Sequence, residues 1–587
     1  RNCVKSCLGI LVSILGSMKE PSENAQEDWA SPSDFLVLGG GASGCVVARR
    51  LSDAGFSVTL VEAGVDPLAP EGGTQLRDAC LDPLRAAELW GSGGWMAASG
   101  TGGASQTDVD RVDYAFRTEP EAPLGGRRVP LSAGRALGGG TAINNGLYGV
   151  AWAQPELNPW AEWASSPFDL AAWRPQLLSP CVDRAAAMLA PQIPPETQRL
   201  QAFDEALASL GDAEGAVGAA TRVAWCIDDQ GQRVTAASAY LGASSTRAVS
   251  RPLLRVLPRS RAISLDLGEA ESGNDRLTCH GALVELRDAE LVGAQSRRAV
   301  LRANREVIVC CGPLLSPVLL LRSGIGPAEE LAEALIPARV VSPHVGRNLI
   351  TQPTLPLRPA AGKIPAAGPP LQPVAPAKAP LGRGLECAVF AWPQLGLLYA
   401  LGLNTPAARG DVRLPASEAS DVGADAPPRI RLGILDHPSD VERMVWGLDR
   451  VQALAAHPAL REQFGGLEPE WPSSAETLAD GGAGSADSCS VDAARVQWLR
   501  DRVSSTRHPL GTCRMSQVVS DGVCDERGRV LSNGGGVVVG LRVADNSLAP
   551  SPPPDSHVMR MALAIGERVA ELILEDHAVS SGGTSAL

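Results

Sequence analysis

Positive charge is in short supply in this sequence: 52 Lys and Arg stand against 65 Asp and Glu, a net charge of -13 at pH 7. Nucleic-acid binding needs a basic surface to displace the counterions of the phosphate backbone, and no basic cluster here grows into a long run, so a nucleic-acid partner is excluded. Long apolar runs are also missing. The stretch from Cys7 to Met18, preceded by Arg1 and Lys5, falls short of the roughly 20 residues a helix needs to cross a bilayer. It reads as a targeting remnant, an interfacial anchor, or a tail packed on its own domain or a partner. With Arg1 in first place, residues 1–18 point to an organelle such as a plastid or to a membrane periphery rather than the cytosol, and to association with a membrane surface or a multiprotein complex. The 13 cysteines lack metal-ligand spacing, and Cys310 and Cys311 sit in an apolar strand-like run. No metal site is expected, and most of these thiols read as reduced core residues.

The remaining composition is that of an ordinary folded enzyme body. At 44% apolar and 20% charged, the chain is neither broadly disordered nor a multi-span membrane protein. Its 587 residues exceed what one core accommodates, which implies two large domains.

The first structured text follows an acidic linker. Asp34-Phe-Leu-Val-Leu38 reads as a buried strand, Gly39-Gly-Gly-Ala-Ser-Gly44 as a tight turn, Cys45 to Ala54 as a helix, and Ser57 to Val61 as a second strand ending at Glu62. A lone GxGxxG is weak evidence. Here it follows a strand, opens a helix and is followed by an acid at a strand end, which is the dinucleotide fingerprint. Gly39 permits the turn, Gly41 lets backbone approach a pyrophosphate, and Gly44 lets helix and strand pack closely. Ala42 and Ser43 belong to the turn before the helix whose positive end receives the phosphates. Glu62 would accept from the ribose hydroxyls and disfavours a 2′-phosphate, which selects FAD or NAD over NADP.

Beyond this unit, Gly91 to Asp108 reads as a loop and Leu253 to Val309 as short β pieces. Val307-Ile-Val-Cys-Cys-Gly312 leads to a helix that Ser316 can cap, with Pro317 at its first position. Arg358 to Gly384, rich in Pro and Ala, and Asp480 to Ser490, rich in Gly, Ser and Asp, read as linkers or surface loops. A last helix is expected over Val558 to Leu574.

Several separate motifs stand in register: Tyr114-Ala-Phe-Arg-Thr-Glu-Pro120, Gly134-Arg-Ala-Leu-Gly-Gly-Gly-Thr-Ala-Ile-Asn-Asn145, Arg305-Glu-Val-Ile-Val-Cys-Cys-Gly312, Ser323-Gly-Ile-Gly-Pro327, His508-Pro-Leu-Gly-Thr-Cys-Arg-Met515, Gly540-Leu-Arg-Val-Ala-Asp-Asn-Ser547 and Ser556-His-Val-Met559. Together they resemble the glucose-methanol-choline (GMC) oxidoreductases over most of Asp34 to Glu575. The resemblance implies an α/β fold, with a Rossmann-like FAD-binding domain and a discontinuous α+β substrate domain. It divides the chain into an extension at 1–33, an FAD-binding domain at 34–150, 223–353 and 508–575, a substrate domain at 151–222 and 354–507, and a tail at 576–587. It implies oxidation of a small-molecule alcohol or lipid-like substrate at a CH–OH group, by hydride transfer to flavin N5. His508 would take the hydroxyl proton and His557 would hold the substrate oxygen. An alcohol becomes a good hydride donor only as its proton leaves, and imidazole suits that task at neutral pH. The other histidines, His280, His344, His437, His457 and His577, read as ordinary core or surface residues.

The resemblance also implies cofactor contacts at Arg135, Gly138, Gly139, Thr141, Asn144, Asp545 and Asn546. Some family members attach FAD through a histidine just before the Asn144 position; Ile143 stands there, so non-covalent FAD is expected. Two departures stand out. After Val345-Gly-Arg-Asn-Leu349 the family has Asp-His, whereas this chain continues Ile350-Thr-Gln352. The stretch from Pro353 to Arg409 looks shortened, with Pro-rich text where substrate-domain strands are expected. At the level of sequence three readings therefore stay open: an alcohol-oxidising enzyme, a non-catalytic FAD-binding subunit of a larger assembly, and a photoenzyme like the fatty acid photodecarboxylases, against which His508 counts.

Overall fold

The computed structural model describes residues 31–69, 74–85, 89, 112–150, 163, 170–193, 198–209, 221–242, 252–269, 276–287, 296–357, 374–382, 385–392, 396–415, 426–464, 488–517, 520–552 and 557–580. The readings of residues 1–18 as an anchor and of residues 91–108 as a loop fall outside them. Among the described residues no helix is long and apolar enough to cross a membrane.

The apolar run after Ser33 forms strand β1 (Ser33–Leu38), the helix following the glycine turn is α1 (Ala42–Asp53), and β2 is Val58–Val61. Phe35 to Leu38 have no exposed surface. This is what a central parallel strand covered on both faces requires, and it explains why the run is apolar throughout rather than alternating. β1 lies between β2 and Ser296–Val309, parallel to both, and β2 continues in parallel to Leu254–Leu257. The 14-residue strand Ser296–Val309 serves two partnerships. Its start pairs antiparallel with Leu277–Arg287, and its end pairs parallel with β1 and with Val537–Val543. Arg529–Leu531 closes one edge, and the sheet has eight strands.

The C-terminal helix, Val558–Ser580, packs on α1. Ser43 Oγ donates to the Ala562 carbonyl at 2.7 Å. Deeper in the same seam Glu567, 1% exposed, accepts a two-pronged bond from Arg50 (2.8 and 2.7 Å), one from Arg184 (3.0 Å) and one from the Tyr240 hydroxyl (2.9 Å).

A second, antiparallel sheet of seven strands runs in the order Ser504–Ser505, Pro353–Leu357, Gly396–Leu403, Leu385–Trp392, Val374–Gly382, Thr221–Trp225, Leu147–Val150. It corrects part of the sequence reading of Arg358 to Gly384 as a linker or surface loop, and of the Pro-rich text as lacking substrate-domain strands, because Val374–Gly382 is paired on both sides; residues 358–373 and 383–384 lie outside the described residues. Its prolines hid the strand. Proline has no amide to give a ladder, and the register with Leu385–Trp392 breaks between Val374 and Ala377 and between Pro380 and Gly382, where Pro376 and Pro380 fall. The loop read over Asp480 to Ser490 gives way to helix at Ser488. Leu147–Val150 and most of Thr221–Trp225 come from residues that the sequence division assigns to the first domain, and the last helix runs past Glu575 into the expected tail.

Replacing Glu567 with Ala leaves two arginines facing a seam they were built to neutralise. The loss expected is about 2–4 kcal/mol, at the lower end for a broken buried pair because both arginines reach solvent. Urea unfolding of the variant beside wild type measures it.

Candidate functional site

The chain leaves β1 through Gly39, whose φ of +104° is in the left-handed region, and enters α1 through Gly41. A side chain on Gly44 would put its Cβ 1.9 Å from the Gly39 carbonyl oxygen, so that glycine is what lets the helix sit this close to the turn. A Cβ on Gly41 would have only the Cys310 carbonyl within reach, at 4.0 Å, and would project into the adjoining cavity. The helix start has no side-chain cap and no acidic residue in its first turn. With the Ser43 hydroxyl turned toward Ala562, Ala42 and Ser43 offer backbone N–H groups to an anion.

Glu62, at the end of β2, accepts from the Gly40 and Gly64 N–H groups at 2.8 and 2.7 Å and lines the same cavity. Burial pushes its carboxyl up to about 7, against the pull of those amides and of Arg135. Each oxygen keeps a lone pair for a further donor.

The second glycine cluster closes over the first. Gly138 N–H donates to the Gly40 carbonyl at 2.7 Å and Leu137 N–H to that of Val65 at 2.9 Å. The Thr141 hydroxyl donates to the Gly138 carbonyl and accepts from Ala236 N–H, so it fixes the turn. The Arg135 guanidinium lies 5.8 Å over the Tyr114 ring. Gly39, Gly41, Ala42, Ser43, Glu62, Arg135, Gly139, Thr141, Asn144, Asp545 and Asn546 all line one cavity of about 1010 Å³, while Gly44 and Gly138 shape the turns behind it.

The C-terminal contributors meet this wall through Asp545. Its buried carboxylate accepts from Gly312 N–H (2.8 Å), the Ser316 hydroxyl (2.5 Å) and Ser547 N–H (2.7 Å). Ser316 is therefore not the helix cap expected from sequence: Leu315 stands at that position, and the Ser316 hydroxyl is committed to Asp545. Asn144 Oδ1 accepts from Gly146 N–H, and its amide nitrogen points to Met559 Sδ. Asn546 donates to the Val558 carbonyl, leaving its Oδ1 buried without a partner, and Asn145 Oδ1 is in the same condition. Buried amide oxygens without donors mark where a polar ligand belongs. Uncapped helix start, acid at the strand end and waiting amides together fit a dinucleotide.

His508 and His557 line the far part of the cavity. Leu510 bridges Ile350, while Ser505 and Ser504 pair with Pro353 and Thr354. Residues 506–509 thus bulge out opposite only 351–352, and all four face the cavity. Gln352 holds the bulge. Its carbonyl accepts from Thr506 N–H (3.0 Å), its Oε1 faces His508 Nδ1 (3.3 Å), and its amide nitrogen donates to the Asn404 carbonyl (3.3 Å). The sequence showed Gln352 only as a departure and offered no sign that it would reach His508 across 156 residues.

Among the described residues no group of His, Cys, Asp and Glu could hold a metal ion. Cys45, Cys80, Cys181, Cys226, Cys279, Cys310, Cys513 and Cys524 are buried free thiols, and Cys311 is a half-buried one.

Two family models described as GMC oxidoreductase match the chain, the amino-terminal one over residues 33–354 and the carboxy-terminal one over 406–566. An oxygen-dependent choline dehydrogenase from Sinorhizobium medicae is 26% identical, with 92% of this chain and 95% of the relative covered; one from Shigella flexneri is 25% identical over 93% and 96%. Among solved structures, pyridoxine 4-oxidase from Mesorbium loti superposes with a TM-score of 0.68 at 25% identity, covering 92% of this chain and 99% of its own. A formate oxidase from Aspergillus oryzae, at 21% identity, shares the fold with a TM-score of 0.69 over 94% and 99%.

Ribose hydroxyls donating to Glu62 favour its ionised form, so dinucleotide binding expels a proton there. Affinity is expected to strengthen as pH rises toward about 7 and to level off above it, and Glu62→Gln should flatten this dependence. Calorimetric titration in buffers of different ionisation heat reads both the affinity and the released proton.

Proposed function

The chain belongs to the GMC oxidoreductase family, and on that footing we propose that it binds FAD non-covalently and oxidises a CH–OH group of a small-molecule alcohol with His508 as the base. The observation that carries this reading is that His508 and His557 line the same cavity as the dinucleotide cradle. The helix start at Ala42 and Ser43 would take the pyrophosphate, Glu62 the ribose, and Asn145 and Asn546 the polar edge further along. Bound flavin would supply the hydride acceptor, N5.

Gln352 sets up the base. With its amide nitrogen directed at Asn404, Gln352 turns Oε1 to accept a hydrogen bond from His508 Nδ1–H, and this tautomer leaves Nε2 as the acceptor. His508 Nε2 takes the hydroxyl proton while His557 holds the oxygen, and the neighbouring C–H bond thereby becomes a strong hydride donor. Loss of the proton and the hydride turns the alcohol into a carbonyl compound. Ile143, next to Asn144 on the cavity wall, has no atom that could bond to the cofactor, which supports non-covalent binding. The names of the curated relatives and of the pyridoxine oxidase support an alcohol donor.

Anaerobic mixing with a panel of alcohols should bleach the oxidised-flavin absorbance. Bleaching by none would leave the inert-subunit reading, and blue-light release of hydrocarbon from a fatty acid would favour the photoenzyme. Acid precipitation should release the yellow colour into the supernatant.

His508→Ala should stay yellow and lose about 10²- to 10⁴-fold in reduction rate. Gln352→Leu should slow reduction at least about tenfold and displace its pH profile; a purely structural Gln352 would leave that profile in place.

A further inference from the structure

Arg233 stands outside the chemistry above, yet it is bonded to the back of the cavity wall. The segment that carries it packs on the second glycine cluster, where Ala236 N–H donates to the Thr141 hydroxyl at 2.9 Å. The residue is 2% exposed. Nη1 donates to the carbonyls of Cys80 and Ala142, the latter at 2.8 Å, and Nη2 to those of Asn144 at 2.5 Å and Asp82 at 3.4 Å. Its main-chain N–H donates to the Leu81 carbonyl at 2.5 Å. One guanidinium thus clamps residues 80–82 to residues 142–144.

The wall so clamped is the one beside the proposed reaction. Ile143, Asn144 and Asn145 line the cavity, and the Asn144 amide nitrogen points to Met559 Sδ, two residues along from His557. Ala142 and Asn144, whose carbonyls hold the guanidinium, belong to this same stretch, so the charge sits directly behind it.

Nothing the guanidinium touches cancels that charge. Among the described residues its bonds all go to main-chain carbonyls, which are dipoles, and Nε is buried without a partner. Burial brings its pKa down to about 10, with Cys80 and Asp82 acting the other way, so it stays a cation at neutral pH. Burial pushes the Cys80 thiol up to about 11, which leaves Asp82 as the charged neighbour. Asp82 is half-buried and open to screening by water, whereas the guanidinium is sealed. A buried cation held by dipoles alone is costly, and tying two loops together needs only neutral donors.

Two-electron reduction at neutral pH leaves a flavin ring negatively charged, and a cation separated from it by protein rather than water favours that state. Building on the FAD reading above, we propose that Arg233 is a positioning residue that fixes the wall at 143–145 and, from behind it, favours a flavin carrying negative charge, so that the cofactor accepts electrons more readily. The effect falls on the cofactor rather than on the alcohol, and it is therefore measurable with no alcohol present.

Sulfite is the probe. Its sulfur lone pair forms a bond to N5 of oxidised flavin, and the π pair displaced into the ring leaves the ring negatively charged, which bleaches the visible absorbance. Holoenzyme is titrated with sulfite and, separately, equilibrated with dyes of known reduction potential. Arg233→Gln should bind sulfite at least about tenfold more weakly than wild type and hold its flavin at a lower potential. Arg233→Lys, which returns the charge without the fork, should recover most of that affinity. Equal sulfite affinity and potential in wild type and Arg233→Gln would overturn the proposal. A loss in Arg233→Lys as large as in Arg233→Gln would do so too, since it marks a clamp whose charge is immaterial.

Should Arg233→Gln fail to hold flavin, Asp82→Asn decides. Removing the opposing charge should tighten sulfite binding by at least about twofold, and unchanged or weaker binding would overturn the proposal. Failure of the reading beneath looks different. A wild type that holds no FAD removes both readings, whereas a yellow protein that no alcohol reduces removes alcohol oxidation alone, and its sulfite affinity still decides the role of Arg233.

Discussion

Asp545 buries a carboxylate where three stretches of chain meet, and the arrangement of the cavity follows from it. It ties the turn after Ser296–Val309, through Gly312, to the helix that begins at Ser316 and to its own segment at Ser547. The segment so anchored then carries another: Gly511, Cys513 and Met515 donate their N–H groups to the carbonyls of Asn546, Ser547 and Leu548. His508 hangs from that ladder. Burial raises the pKa of Asp545, and the donors that surround it act in the opposite direction. An acid so deeply placed is tolerable only because it is this well satisfied.

The cradle and the catalytic end are built by different means. At the cradle, recognition is mostly backbone: glycines permit approach, a helix start offers its amides, and Glu62 braces the turn it belongs to. At the other end side chains line the cavity, on a bulge held between a pairing with the second sheet and the isolated bridge of Leu510 to Ile350. The glycine end therefore tolerates little change in shape, since a Cβ at Gly39 or Gly44 would meet backbone.

That difference explains what could be read from the chain. The β1–α1–β2 unit was legible because parallel strands buried on both faces must be apolar and the turn between them must be glycine, so local physics and fold agree. The last helix was legible for a similar reason, by its period, though it runs six residues beyond Leu574. Val374–Gly382 was not, because its strand identity comes from neighbours on both sides rather than from its Pro- and Ala-rich text. Ser316 was misread as a cap because its partner, Asp545, is 229 residues away. The same holds for Gln352, which looked like a lapse from pattern until the fold put it against His508.

The bulge at 506–509 therefore behaves as an addressable position on an otherwise fixed frame. Its flanks are held by strand pairing and by Gln352, so its two ends are fixed in place. A substitution within the bulge therefore changes the cavity wall while the pairings that fix its two ends stay as they are.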